Sequence, residues 1–67
     1  MVNEGILPRA ALRQVEARLT EAGCPDADFD AAELFRLAVG ADARLATAPL
    51  TAAQAAQLEV LTCLLYT

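Results

Sequence analysis

Asp26-Ala27-Asp28-Phe29-Asp30-Ala31-Ala32-Glu33-Leu34-Phe35-Arg36-Leu37-Ala38-Val39-Gly40 is the stretch that decides the fold. Ala31, Leu34, Phe35 and Ala38 recur at i, i+3, i+4 and i+7, which lays four apolar side chains along one face of an α-helix. Asp26 stands just ahead of this run, where a carboxylate can accept hydrogen bonds from the free N–H groups of the first turn. Asp28 and Asp30 add negative charge at the positive end of the helix dipole. Gly40 closes the segment, because glycine enters the left-handed conformation without a Cβ penalty. Three acids so close together also invite comparison with a calcium loop. An EF-hand needs glycine at its sixth position and glutamate at its twelfth, and counting from Asp26 those positions hold Ala31 and Leu37. Capping accounts for the acids without a cation.

Toward the N-terminus, Leu12, Val15, Leu19 and Ala22 fall at i, i+3, i+7 and i+10 and predict another amphipathic helix, with Arg9, Arg13, Glu16 and Arg18 mostly on its other side. Its start belongs near Leu7 or Pro8, since proline is accommodated in the first turn, where an N–H has no partner to lose. Gly23 is the expected left-handed stop, and Pro25 prevents continuation. Residues 1–6 read as a loose lead-in. Toward the C-terminus, Ala41 to Ala46 has room for a short helical turn, with Asp42 as its cap and Leu45 as an inward anchor, before Thr47-Ala48-Pro49 breaks it. Thr51-Ala52-Ala53-Gln54 has the form of a capping box, in which the Thr hydroxyl caps a backbone N–H and the Gln side chain reaches back. The last helix is expected from Ala52 to about Tyr66. Leu58, Leu61 and Leu65 form its inward stripe, and Gln54, Gln57 and Glu59 are exposed.

Composition agrees with an all-α fold, a small bundle of about four to five short helices in a single domain over residues 1–67. Sixteen of the 67 residues are alanine, the strongest helix former. A chain of this size buries only about 60% of the surface its unfolded form exposes, which leaves little room for a cofactor pocket. Five arginines against nine acids give a net charge of −4. That balance argues against nucleic acid as a partner, because phosphate binding needs a basic patch. Cys24, in a turn, and Cys63, on a helix, read as reduced thiols of a cytoplasmic protein, since small secreted domains usually carry four or more cysteines. With no histidine and no Cys-x-x-Cys, no metal centre is expected. The first ten residues lack the apolar core of a signal peptide, and no run approaches the roughly 20 apolar residues that cross a bilayer.

No catalytic constellation emerges. A Ser/His/Asp set is impossible without histidine, and no glycine-rich phosphate loop is present. Asp30 and Glu33 share a helix, but an acid–base pair needs a pocket that separates the two pKa values, and a helix end on so small a bundle is solvated. The C-terminal helix is the exception to a bland surface. Val60, Leu61, Cys63, Leu64, Leu65 and Tyr66 wrap more than one of its faces, and a helix apolar on two sides calls for cover on both. Leu64 and Tyr66 are therefore the candidate interface residues, facing another part of a longer protein or a second copy of the chain.

The order and spacing of Leu12, Leu19, Ala22-Gly23, Asp30-Ala31, Leu34-Phe35, Gly40, Leu50-Thr51, Gln57-Leu58 and Leu61 resembles the small N-terminal helical domain of the HemK/PrmC family, over roughly residues 10–61. The resemblance implies a recognition domain ahead of a Rossmann-like catalytic domain. In that family the catalytic domain uses S-adenosylmethionine and an Asn-Pro-Pro-Tyr motif to methylate the glutamine of the Gly-Gly-Gln loop in peptide-chain release factors. The implied partners are the release factor and the chain's own catalytic domain, with no membrane and no direct nucleic acid. Neither Asn-Pro-Pro-Tyr nor a cofactor loop occurs in these residues, so no catalytic or cofactor-binding residue is carried over. Relatives also tend to have arginines after the position of Leu61, followed by a Gly-Glu-Pro-like turn, where this chain has Thr62-Cys63-Leu64-Leu65-Tyr66-Thr67. The alternative from the residues alone is a stand-alone helical interaction or dimerisation module.

Overall fold

A computed structural model describes residues 2–42 and 45–66, with the side chain of residue 66 outside the description. Three helices account for the regular structure among these residues: α1 (Pro8–Glu21), α2 (Ala27–Val39) and α3 (Ala52–Tyr66). α2 lies in the middle and packs against both neighbours, while α1 and α3 touch each other far less. Among the described residues the fold is all-helical, as composition implied, with three helices rather than the expected four to five.

The difference lies between α2 and α3. Residues 43 and 44, within the expected short helix, fall outside the described residues. On either side of them, Leu45 N and Ala46 N donate to the Asp42 carbonyl at 2.9 and 3.0 Å. Leu45 is 81% exposed and anchors nothing.

The ends of α1 and α2 follow the reading closely. Leu7 is the N-cap of α1 and Pro8 its first residue. Past its C-terminus, Gly23 adopts φ +86°, and Gly23 N and Cys24 N donate back to Thr20 O and Leu19 O at 3.0 Å each. This pair of bonds satisfies carbonyls that the helix itself leaves open. Gly40 ends α2 at φ +83°. Asp26 does occupy the N-cap position of α2, but its side chain makes no capping bond. Its backbone, at φ −113° and ψ 50°, lies outside the extended conformation from which a cap side chain reaches the first-turn N–H groups.

α3 starts as its capping box requires. Gln54 N donates to Thr51 Oγ1 at 3.1 Å, and Thr51 N donates to Gln54 Oε1 at 2.9 Å.

The core is drawn from all three helices and from both flanking segments. Ala11, Val15 and Leu19 come from α1, Ala27, Ala31, Leu34 and Phe35 from α2, and Ala55 and Leu58 from α3. Ala22, expected on the buried face of α1, is exposed because it is the C-cap residue where the chain turns away. On α3 the buried stripe is Ala55, Leu58 and Thr62, with Leu61 only partly covered and Leu65 45% exposed. Leu65 therefore does not complete the inward stripe. Thr62 is tolerated in the core because its hydroxyl donates to the Leu58 carbonyl one turn earlier, at 2.7 Å.

The lead-in is not loose. Ile6 N donates to Asn3 O at 3.2 Å, closing a turn, with Gly5 at φ +83° inside it. That turn folds Val2 back into the core, where it is 5% exposed. Gly5 N donates to Leu50 O and Leu50 N to Ile6 O, both at 2.9 Å, tying the lead-in to the segment ahead of α3. The expectation failed because the anchoring partner, Leu50, is distant in sequence.

Candidate interaction surface on the third helix

α3 is apolar on nearly every side. Its sole charged residue is Glu59, which was expected to be solvent-exposed but belongs to a cluster joining three parts of the chain. Arg18 of α1 donates through Nη1 to Glu59 Oε1 at 2.7 Å and through Nη2 to Oε2 at 2.8 Å. The backbone N–H of Val2 donates to the same Oε1 at 3.0 Å. The Cys63 thiol lies 3.4 Å from Glu59 Oε2 and 3.7 Å from Arg18 Nη2.

This two-pronged ion pair is the polar link between α1 and α3, with both side chains about a fifth to a quarter exposed. The guanidinium's hydrogen bonds, and secondly the Val2 N–H, hold the Glu59 carboxyl down to about 2. The same hydrogen bond raises the Arg18 pKa further above its ordinary value. One charge on an otherwise neutral helix was the signal that would have pointed to this clamp.

Glu59 is drawn toward α1, and the face of α3 beside it carries no further charged residue. Val60 is 53% and Leu64 69% exposed, and Ala53, Ala56 and the polar Gln57 lie on the same face and are also exposed. A shallow groove runs beside it, between the turn at Val2–Glu4 and the line of Ala52, Ala56 and Val60, and the carboxylates of Glu4 and Glu59 are part of its lining. Leu64, one of the two candidate interface residues, is thus on the surface. Tyr66 is the last residue of α3, and its side chain lies outside the described residues.

Other exposed apolar residues are dispersed. Phe29 and Leu37 sit on α2, with the Glu33–Arg36 ion pair between them in sequence at 2.7 Å. Both cysteines are thiols rather than disulfide partners. Among the described residues, no group of three or more His, Cys, Asp or Glu is placed to hold a metal ion, and no helix is long and apolar enough to cross a membrane. Comparison with known proteins yields no matching family model, no matching curated protein and no matching solved structure.

Proposed function

We propose that this chain is the N-terminal recognition domain of a cytoplasmic protein-glutamine methyltransferase acting on peptide-chain release factors, with the S-adenosylmethionine-dependent chemistry residing in a catalytic domain outside these residues. One observation carries the reading. Many of the residues that make the resemblance serve as the fold's turns and core positions, which supports the reading, although Ala22 and Gln57 are exposed. Gly23 and Gly40 are left-handed helix stops. Leu19, Ala31, Leu34, Phe35, Leu50 and Leu58 are core residues, and Thr51 caps α3. Recognition, not catalysis, is the role that suits a small acidic bundle whose distinguishing surface is an apolar helix face. In this reading the chain alone neither methylates nor binds S-adenosylmethionine.

The test has two arms. If the parent reading frame continues into an Asn-Pro-Pro-Tyr motif, the family assignment stands; a frame without one removes it. Titration calorimetry of the 67-residue chain with S-adenosylmethionine should show no heat of binding, and micromolar binding would overturn the division of labour. The second reading, a stand-alone helical interaction or dimerisation module, is favoured by the uncharged outer face of α3.

A further inference from the structure

We propose that the groove between the lead-in and α3 docks a cationic amphipathic helix of another protein. That helix lies antiparallel to α3, with its apolar stripe over Ala56, Val60 and Leu64 and a lysine or arginine against Glu4. The proposal does not depend on the methyltransferase reading.

The groove has an apolar floor and a negative rim. Val2, Ala52, Ala55, Ala56 and Val60 line it, with Glu4 and Glu59 as its charged members. Exposed Leu64 prolongs the apolar strip one turn beyond Val60. Neither residues 2–7 nor α3 contain a lysine or arginine. Arg18 reaches Glu59 from α1 and is bonded to both of its oxygens, so that pair is close to neutral. Glu4 is exposed and enters no ion pair among the described residues, and it gives the groove its net sign.

That sign separates the occupants. An acidic segment brings like charge up to Glu4, and so does a second copy of this chain, whose net charge is −4. An uncharged segment leaves Glu4 unanswered. A cation at that place gains a charge pair, and the net charge of the whole chain draws a basic partner from a distance. The exposed amide of Gln57, on the same face, can both donate to and accept from a polar side chain of the occupant.

Helix ends set the orientation. α1 and α2 each carry an arginine in the last turn, Arg18 and Arg36, where a cation offsets the negative end of the helix dipole. α3 has no basic residue in its last turn. An antiparallel occupant sets its positive N-terminal end there. Its own last turn, where lysine and arginine are favoured, then falls near the start of α3, beside Glu4. The acids of α2 make no comparable site, because Asp28 and Asp30 stand in the first turn of their own helix, whose positive end already opposes their charge. A strip along a 15-residue helix is about 22 Å long and falls short of the roughly 800 Å² per partner of a standard interface. The contact is therefore transient, with a dissociation constant of about 0.1 mM.

The test is an NMR titration of the 67-residue chain with a synthetic helical peptide of about 15 residues, long enough to span α3. It carries leucine at i, i+3, i+4 and i+7 spacing and lysine elsewhere; a second peptide has glutamate in place of lysine. The lysine peptide should shift the amides of Glu4, Ala56, Val60 and Leu64, and its binding should weaken with salt. Glu4→Lys should weaken it at least about threefold and Val60→Lys at least about tenfold. Asp28→Lys, which alters the net charge by the same amount as Glu4→Lys, should change it by less than about twofold. A spin label on the N-terminus of the peptide should broaden Leu64, and one on its C-terminus should broaden Glu4. Circular dichroism establishes that each variant is folded, and the two variants in the groove lie on different segments. The proposal is overturned if the lysine peptide causes no shifts at about 1 mM or if the glutamate peptide binds as well. Shifts centred on residues 26–30, equal losses from Glu4→Lys and Asp28→Lys, or a reversed label pattern overturn it too. Shifts along α3 that follow the concentration of the chain alone would give the face to a second copy and overturn it likewise.

Discussion

α2 and α3 are close in length, 13 and 15 residues, and pack against each other, yet they meet solvent differently. α2 buries Ala27, Ala31, Leu34 and Phe35 and breaks up its outer side with the Glu33–Arg36 pair. α3 buries Ala55, Leu58 and Thr62 and leaves its outer side free of charge. The helix in the middle, covered from two sides, has the more polar exterior. The helix at the edge has the apolar one. Core demand therefore explains the buried stripe of α2 but not its exposed Phe29 and Leu37, and it explains only half of α3, whose outer side is where a function must be sought.

The contrast between the two sides of α2 gives the largest expected effect. Phe35 is fully buried, so Phe35→Ala should cost about 3–5 kcal/mol, the range for deleting a packed aromatic. Phe29, 65% exposed on the same helix, should tolerate alanine within about 0.5 kcal/mol. Urea denaturation of the pair checks this. Similar midpoints for the two variants would mean that α2 does not present one face to the core.

The Arg18–Glu59 clamp comes next, since it holds the edge helix to α1. Glu59→Gln removes the charged half of a bidentate pair, an expected loss of about 1–2 kcal/mol near neutral pH. The pH dependence carries its own sign. The hydrogen bonds from Arg18, and secondly from Val2 N–H, hold the Glu59 carboxyl down to about 2 in the folded chain, well below the usual carboxylate range. A carboxyl whose pKa is lowered by folding contributes its stability above the unfolded value and loses it as pH falls toward the folded one. Thermal unfolding between pH 5 and 2 should thus show the parent losing its advantage over Glu59→Gln as the carboxylate is protonated. A constant gap across that range would mean the clamp contributes nothing through charge.

How far these features were readable in advance depends on their range. Turns and caps that rest on adjacent residues were visible: the left-handed stops at Gly23 and Gly40, the proline start of α1 and the Thr51–Gln54 box. So was the stripe of α2, because its buried residues recur with the helical period. The docking of Val2 and the lead-in was not, because it depends on Leu50 and Glu59, distant in sequence. Leu45 differs for another reason: a leucine in a linker suggests an inward anchor, but here it is 81% exposed. On α3, an apolar period on all sides cannot say which leucines face inward, so Leu65 was assigned to the core and Thr62 was not. Leu64 stood out because it fell off the inward stripe, whereas the partner of Glu59 lay on another helix.

The two helix starts provide the finest comparison. Both were read as capped, one by Asp26 and the other by Thr51. Only Thr51 makes the bond, and it is answered by Gln54 three residues on. Asp26 has Phe29 at the corresponding position, which offers nothing in return, and its backbone departs from the extended conformation of a cap, with no side-chain capping bond made. The residue type at a cap is therefore a weaker signal than the reciprocal pair. Thr51→Ala should cost about 0.5–2 kcal/mol. Asp26→Ala should cost less than about 0.5 kcal/mol, because what remains of its effect is charge near the helix dipole, and Asp28 and Asp30 already supply that. Chemical denaturation of both variants, at low and high salt, separates the cases. The Thr51 loss should persist in high salt, since it is a neutral hydrogen bond, while any Asp26 loss should vanish as the dipole interaction is screened. If Asp26→Ala instead costs as much as Thr51→Ala and keeps that cost in salt, the carboxylate caps α2 in solution and the two starts are alike after all.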